Sequence, residues 1–304
     1  MAKTLILPRN NSFFSKSRDT YQFLCPQMKH YLPSILLFLG AISLPAQDIY
    51  DYAASRSYAR YLLQSQQFSL AAEEYERLIF MRPDNDTLRA DLLRAYRKGN
   101  TPERGLEQWA KWQRTPRSPT RLLHTEYSKL LLRGGFPAKA RELVTESPVL
   151  DSVQIRRTFL YANMLEQKWP EANGSVKKIP STEKFPQRKE VEALIERGER
   201  TKMKKPWVAT ALSVPVPGLG KVYAGEWKDG VISLLFVGIN TWQAVRRFDQ
   251  EGVDTFWGWI HGGFALGFYS GNLYGSHKAA RRQNQKKIKR LQHDTEALIF
   301  PLLD

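Results

Sequence analysis

YARYLLQSQQFSLAAEEYERLIFMRP, Tyr58 to Pro83, carries two helical rhythms with a break just ahead of Phe68. Ala59 and Leu62 lie on one face of the first segment, and Ala72 and Tyr75 on one face of the second. Apolar positions three or four residues apart predict amphipathic helices. Small residues facing large ones allow two such helices to interlock. Pro83 ends the unit, where its missing N–H and fixed φ can no longer continue a helix.

The same pattern recurs downstream. Phe68, Pro102, Phe136 and Pro170 are evenly spaced, each at the turn into a second helix. First-helix positions align as Ala59, Leu93, Tyr127 and Tyr161, then Leu62, Tyr96, Leu130 and Met164. Second-helix positions align as Ala72, Leu106 and Ala140, with Tyr75, Trp109 and Leu143. A repeat of about 34 residues with two helices per unit predicts a solenoid. Over residues 48–180 the chain resembles the tetratricopeptide repeat family. Later units drift: Gly105 replaces a small alanine, Trp109 and Trp112 are bulky, and FLYANMLEQKWPEANG ends raggedly. The resemblance implies a protein- or peptide-binding groove without catalysis. Arg97, Trp112, Arg114 and Arg133 are its candidate groove residues. Residues 181–205 read as a basic linker in which Val191, Leu194 and Ile195 share one face of a capping helix.

From Pro206 the composition turns apolar, and residues 206–275 form a separate module. Thr255 to Gly275, TFWGWIHGGFALGFYSGNLYG, holds no Asp, Glu, Lys or Arg. Gly263, Gly267, Gly271 and Gly275 are four apart and line one helix face, the small-xxx-small pattern of close helix packing in membranes. Gly230 to Val245 is a shorter apolar segment with Asn240 and Gln243, amides expected to bond between helices. Trp257, Trp259 and Tyr274 sit like interfacial anchors. Between Pro217 and Lys228 the motif Pro217, Gly218, Gly220, Tyr223, Gly225, Trp227-Lys228 resembles the bacterial two-transmembrane-segment membrane module. That resemblance covers the module, residues 206–275, and implies a location in the bacterial inner (cytoplasmic) membrane. The fold class expected is all-α, a tetratricopeptide-like helical solenoid followed by a transmembrane helical hairpin.

The net charge of +16 is concentrated beside this module. Val176–Pro206 has ten Lys or Arg against five Glu, and Ser276–Arg290 has seven without an acid. Such flanks suit anionic lipid headgroups rather than nucleic acid. They leave residues 276–304 as a basic tail. Met28 to Gln47, MKHYLPSILLFLGAISLPAQ, follows the plan of a signal peptide with cleavage after Ala46, and residues 1–27 read as an upstream extension. Cys25, the one cysteine, precedes that leader, so the mature chain has no thiol chemistry. A leader places the repeats in the periplasm, whereas the basic tail favours the cytoplasm.

Catalytic motifs do not appear. His30, His124, His261, His277 and His293 lack metal-ligand spacing. Asp84-Asn85-Asp86-Thr87 lacks the glycine and closing glutamate of a calcium loop and reads as a helix cap. Gly218-Leu219-Gly220-Lys221 lacks the upstream glycine and the Ser or Thr of a phosphate loop. No enzyme activity, cofactor or metal is expected. The expected function is a membrane-anchored scaffold in the bacterial cell envelope, binding a protein or peptide partner through its repeats and lipid through its module. Envelope assembly, secretion and membrane-protein biogenesis are its natural settings. The alternative is an oligomeric, channel-like transport component packed through the glycine ladder as a homo-oligomer.

Overall fold

Among the described residues eight helices come first, in four pairs: α1 (Tyr52–Gln64) with α2 (Phe68–Met81), α3 (Asp86–Lys98) with α4 (Pro102–Trp112), α5 (Arg121–Arg133) with α6 (Pro137–Glu146), and α7 (Ser152–Leu165) with α8 (Trp169–Lys177). The computed structural model describes residues 51–114, 119–183 and 185–304, and its regular structure is helical throughout them. The leader, its cleavage point and Cys25 lie outside the described residues. Arg56–Asp304 forms one compact unit.

Each pair turns in the same way. The N–H groups of Gln67, Thr101, Phe136 and Lys168 donate to the carbonyls of Leu62, Tyr96, Leu131 and Asn163 at 2.9, 2.9, 2.8 and 2.9 Å. A left-handed residue precedes each donor: Gln66, Asn100, Gly135 and Gln167, with φ of 62°, 56°, 79° and 57°. Only the first interval between successive donors keeps the expected period; the second is slightly longer and the third shorter. Pro102, Pro137 and Pro170 occupy the first turns of α4, α6 and α8, where a missing N–H costs nothing.

Caps set the other ends. Asn85 accepts from the N–H groups of Thr87 and Leu88 at 3.0 and 3.3 Å, and Asp151 forms a capping box with Gln154. Tight seams explain the drifted positions. A Cβ on Gly105 would lie 2.6 Å from Leu130 Cδ2, so the glycine lets α4 settle onto α5. Trp109 stacks on Tyr127 with ring centroids 3.8 Å apart. The next helix, α9 (Arg188–Arg200), buries Val191, Leu194 and Ile195.

Beyond it, α10 (Pro206–Leu212) and α11 (Leu219–Ala224) lead into a hairpin of α12 (Trp227–Glu251) and α13 (Phe256–Leu302). Gly218 and Gly225 bracket α11 with φ of +93° and +92°. A Cβ on Gly220 would stand 1.8 Å from the Ala209 carbonyl oxygen, so that crossing admits no side chain. The Ser213 hydroxyl accepts from the Gly220 N–H at 2.9 Å and pairs with the Ser276 hydroxyl at 2.7 Å. The Pro-Gly-x-Gly motif thus threads α11 past α10 and α13.

The expectation of a transmembrane hairpin is overturned. Among the described residues no helix is long and apolar enough to cross a membrane. In α12 the apolar run is bounded by Asp229 and Arg246 and interrupted by Asn240, Thr241 and Gln243. In α13 the uncharged stretch owes its length to glycines, with His261, Ser270 and Asn272 among them, rather than to aliphatic side chains. The separate basic tail is also revised. Residues 276–302 continue α13 without a break, giving a 47-residue helix about 70 Å long at its standard rise.

Candidate functional site

The far end of α13 returns to the helix pairs and lies across the C-terminal ends of α3, α5, α7 and α9. Leu291, Ile299 and Leu303 join one buried cluster with Leu131, Tyr161 and Val191. They share a stripe with Thr295, each four residues from the next, and all four are buried. Polar contacts run along both sides of the stripe. Gln167 Nε2 donates to the Ile288 carbonyl at 3.2 Å, and Arg197 pairs with Asp294 at 2.6 Å. The Arg133 guanidinium lies 4.1 Å over the Phe300 ring. Arg97 bonds to Asp304, and Lys98 approaches the same carboxylate at 3.8 Å.

Behind Asp304 is a charge cluster that no local motif announced. Glu126 is 2% exposed and accepts from Arg94 and Arg97, each at 3.2 Å, with Lys129 at 3.5 Å. Burial on its own would raise the Glu126 carboxyl, but Lys129, Arg97 and Arg94 outweigh it and hold the group below its ordinary value. Burial lowers the Lys129 amine despite Glu126. The Arg97 side chain is 2% exposed. Its Nε, like the Thr295 Oγ1, is buried without a hydrogen-bond partner.

The four candidate groove residues therefore divide. Arg97 and Arg133 both face the α13 segment. Trp112 lies elsewhere, beneath Arg89 at 5.2 Å, beside a cavity of about 590 Å³ lined by Asp86, Trp109, Leu123, His124 and Glu146. Arg114 is exposed just past α4. Within that cavity His124 Nδ1 and the Ser147 hydroxyl are 2.7 Å apart, and burial lowers the imidazole pKa despite nearby Asp86. Among the described residues no group of three or more His, Cys, Asp or Glu could hold a metal ion.

The hairpin presents the second distinctive surface. Gly230, Val237 and Ala244 on α12 and Gly258, Ala265, Asn272 and Ser276 on α13 are buried; Gly258 lies against Phe248 of α12, whereas Gly230 faces Gly218 and Val222 and Ser276 faces Ser213. Elsewhere on the hairpin, Leu235, Phe236, Ile239, Trp242, Phe264 and Leu266 are exposed. His261 Nδ1 lies 3.3 Å from the Asn240 side-chain oxygen and links the helices. The glycine ladder is not the seam. A Cβ on Gly263, Gly267 or Gly271 would meet nothing within 4 Å, while on Gly275 it would meet Lys221 Cε at 3.2 Å. Trp257, Trp259 and Tyr274 are also exposed.

At the base of the hairpin the two basic segments meet. Asn284 bonds both the N–H and the carbonyl of Lys204, at 2.8 and 2.7 Å. Lys287 Nζ donates to the Lys202 carbonyl at 2.7 Å. Tyr223 of the turn motif carries Lys204 over its ring at 4.5 Å and accepts from the Lys205 N–H at 3.3 Å. Segments on either side of the whole apolar module thus form one cationic collar beneath the hairpin. Glu226 neutralises one member, Arg282, by a two-point ion pair.

Fold and site define an all-helical protein of paired helices joined to a long apolar hairpin on a basic base. Comparison with known families, curated proteins and solved structures finds no match for this chain.

Proposed function

We propose that this protein is a membrane-associated helical adaptor, whose hairpin embeds its apolar side chains in one leaflet of an anionic bilayer and whose paired helices hold a protein partner. The observation that carries the reading is the cationic collar beneath exposed Leu235, Phe236, Trp242 and Leu266. Large contiguous apolar surface rimmed by charge marks an interaction site. Basic groups next to it contribute about 1 kcal/mol each at an anionic surface. A bacterial envelope setting, with the paired helices in the periplasm, is part of the proposal and follows from the leader and the family resemblances. The paired helices fit a tetratricopeptide-like adaptor because the same turn hydrogen bond recurs in all four.

Flotation of the full chain with vesicles tests the membrane half. Vesicles rich in phosphatidylglycerol should carry the protein upward, and pure phosphatidylcholine vesicles should carry much less. Leu235→Glu with Leu266→Glu should abolish flotation while leaving the far-ultraviolet spectrum unchanged. Brominated lipids should quench tryptophan fluorescence, with Trp242→Phe reducing the effect. Protein that stays in the bottom fraction with both vesicle types, while folded, refutes this reading.

A further inference from the structure

The end of the chain, from Ile288 to Asp304, fits the surface beneath it incompletely. Leu291, Ile299 and Leu303 seat fully, but Thr295 in the same stripe buries a hydroxyl that has no partner. Next to Asp304, the buried Arg97 Nε also lacks one. A buried polar group without a hydrogen bond keeps its full desolvation penalty. The electrostatics run the same way. Arg94, Arg97 and Lys129 gather on Glu126, Arg94 also pairs with Asp91, and Lys98 reaches only Asp304. Asp304, half exposed at its side chain, is the acid that the covering segment adds to this cluster. Without it the cluster would hold four cations against two carboxylates. Beside the stripe, Asn100, Arg133, Glu296 and Phe300 line an open cavity of about 590 Å³, room that the segment does not fill.

We propose that this segment, residues 288–304, covers a protein-docking surface in cis, and that the partner displacing it is an amphipathic helix. Such a helix carries aliphatic residues at four-residue spacing and an acidic side chain just beyond the last of them. The inference rests on the partner-binding half of the proposed function. It names the surface, the ends of α3, α5, α7 and α9, and the chemistry of its occupant. Helix-in-groove recognition uses such an apolar stripe. Thr295 is the built-in flaw: it weakens the cover enough for an all-aliphatic stripe to replace it. Since the cover must first leave, the apparent affinity of a partner falls by the fraction of chains still covered.

The test uses the full chain and a fluorescein-labelled peptide with the sequence of residues 287–304 in which the threonine is valine. Fluorescence anisotropy measures binding to wild type, to Thr295→Val, and to the pair Leu303→Ala with Asp304→Asn. Thr295→Val removes the unpartnered hydroxyl from the cover and should weaken peptide binding about tenfold. The Leu303→Ala, Asp304→Asn chain should bind at least tenfold more tightly than wild type. Adding Arg97→Gln to that chain should reverse the gain. Amide exchange should show protection of residues 288–304 in the order Thr295→Val, wild type, then the double variant. Equal affinity across folded variants overturns the proposal, and so does no binding to any of them. Either result leaves vesicle flotation unaffected, so failure here is distinct from failure of membrane association.

Discussion

Replacing Glu126 by Gln tests whether the buried charge cluster holds the helix pairs together. The substitution keeps the shape and removes one negative charge that is 2% exposed. Three cations then lose their common counter-charge: Arg94 and Arg97 at 3.2 Å and Lys129 at 3.5 Å. Removing one partner of a buried ion pair costs about 3–5 kcal/mol, because the partner left behind keeps its desolvation penalty. Asp304 remains beside Arg97 and places the cost at the lower end, about 3 kcal/mol. For a chain of this size that lowers the melting temperature by roughly 6–12 °C. Urea unfolding followed by circular dichroism should show a shifted midpoint with an unchanged slope. Arg94→Gln, at a side chain 30% exposed, should cost only about 1 kcal/mol. The sign with pH follows from the lowered Glu126 pKa: its contribution is present above the ordinary carboxylate range and is lost as pH falls through its folded value. Glu126→Gln should therefore flatten the acid limb of stability. A loss below about 0.5 kcal/mol, the size of an ordinary surface substitution, would refute the reasoning.

Three further outcomes are expected. Burial lowers the His124 pKa, so the folded state binds its proton less readily and stability falls as pH drops through about 6.5; His124→Gln should remove that part of a melting-temperature profile between pH 8 and 5. Gly220→Ala places a methyl against the Ala209 backbone and should cost more than about 2 kcal/mol, read as early amide exchange in α10 and α11, whereas Gly105→Ala meets only the movable end of Leu130 and should cost about 1 kcal/mol. Gly267→Ala with Gly271→Ala meets nothing within 4 Å and should stabilise the full chain by about 0.5–1 kcal/mol per site; a fall in melting temperature would show the ladder packed against another molecule.

Much of the helical layout was legible in local sequence. Caps and breakers act within a few residues, so Asn85, Pro102 and Pro170 mark boundaries without reference to the rest of the chain. Amphipathic spacing likewise marks which side of α9 is apolar. The repeat register was legible only at first, because the later turns shift by one or two residues although each keeps its left-handed residue and its turn hydrogen bond. The membrane-spanning expectation failed for a physical reason. Freedom from charge is not hydropathy, and glycine supplies length without apolar surface.

Patterning could say that a face is apolar or small but not what covers it. The glycine spacing is compatible with a packed seam and with an open stripe, and the tertiary structure leaves Gly263, Gly267 and Gly271 open while burying Gly258, Ala265 and Asn272 instead. Arg97 meets Asp304 across 207 residues, a contact no local window holds. The stripe Leu291, Thr295, Ile299 and Leu303 could have been found from its spacing, but its place across four helix ends could not. Sequence by itself determined the helices, their caps and the clustering of charge, since those depend on neighbours in the chain. The closure of α13 over the helix pairs and the union of two basic segments into one collar were decided by tertiary structure, since packing and long-range charge compensation join residues that the chain keeps far apart.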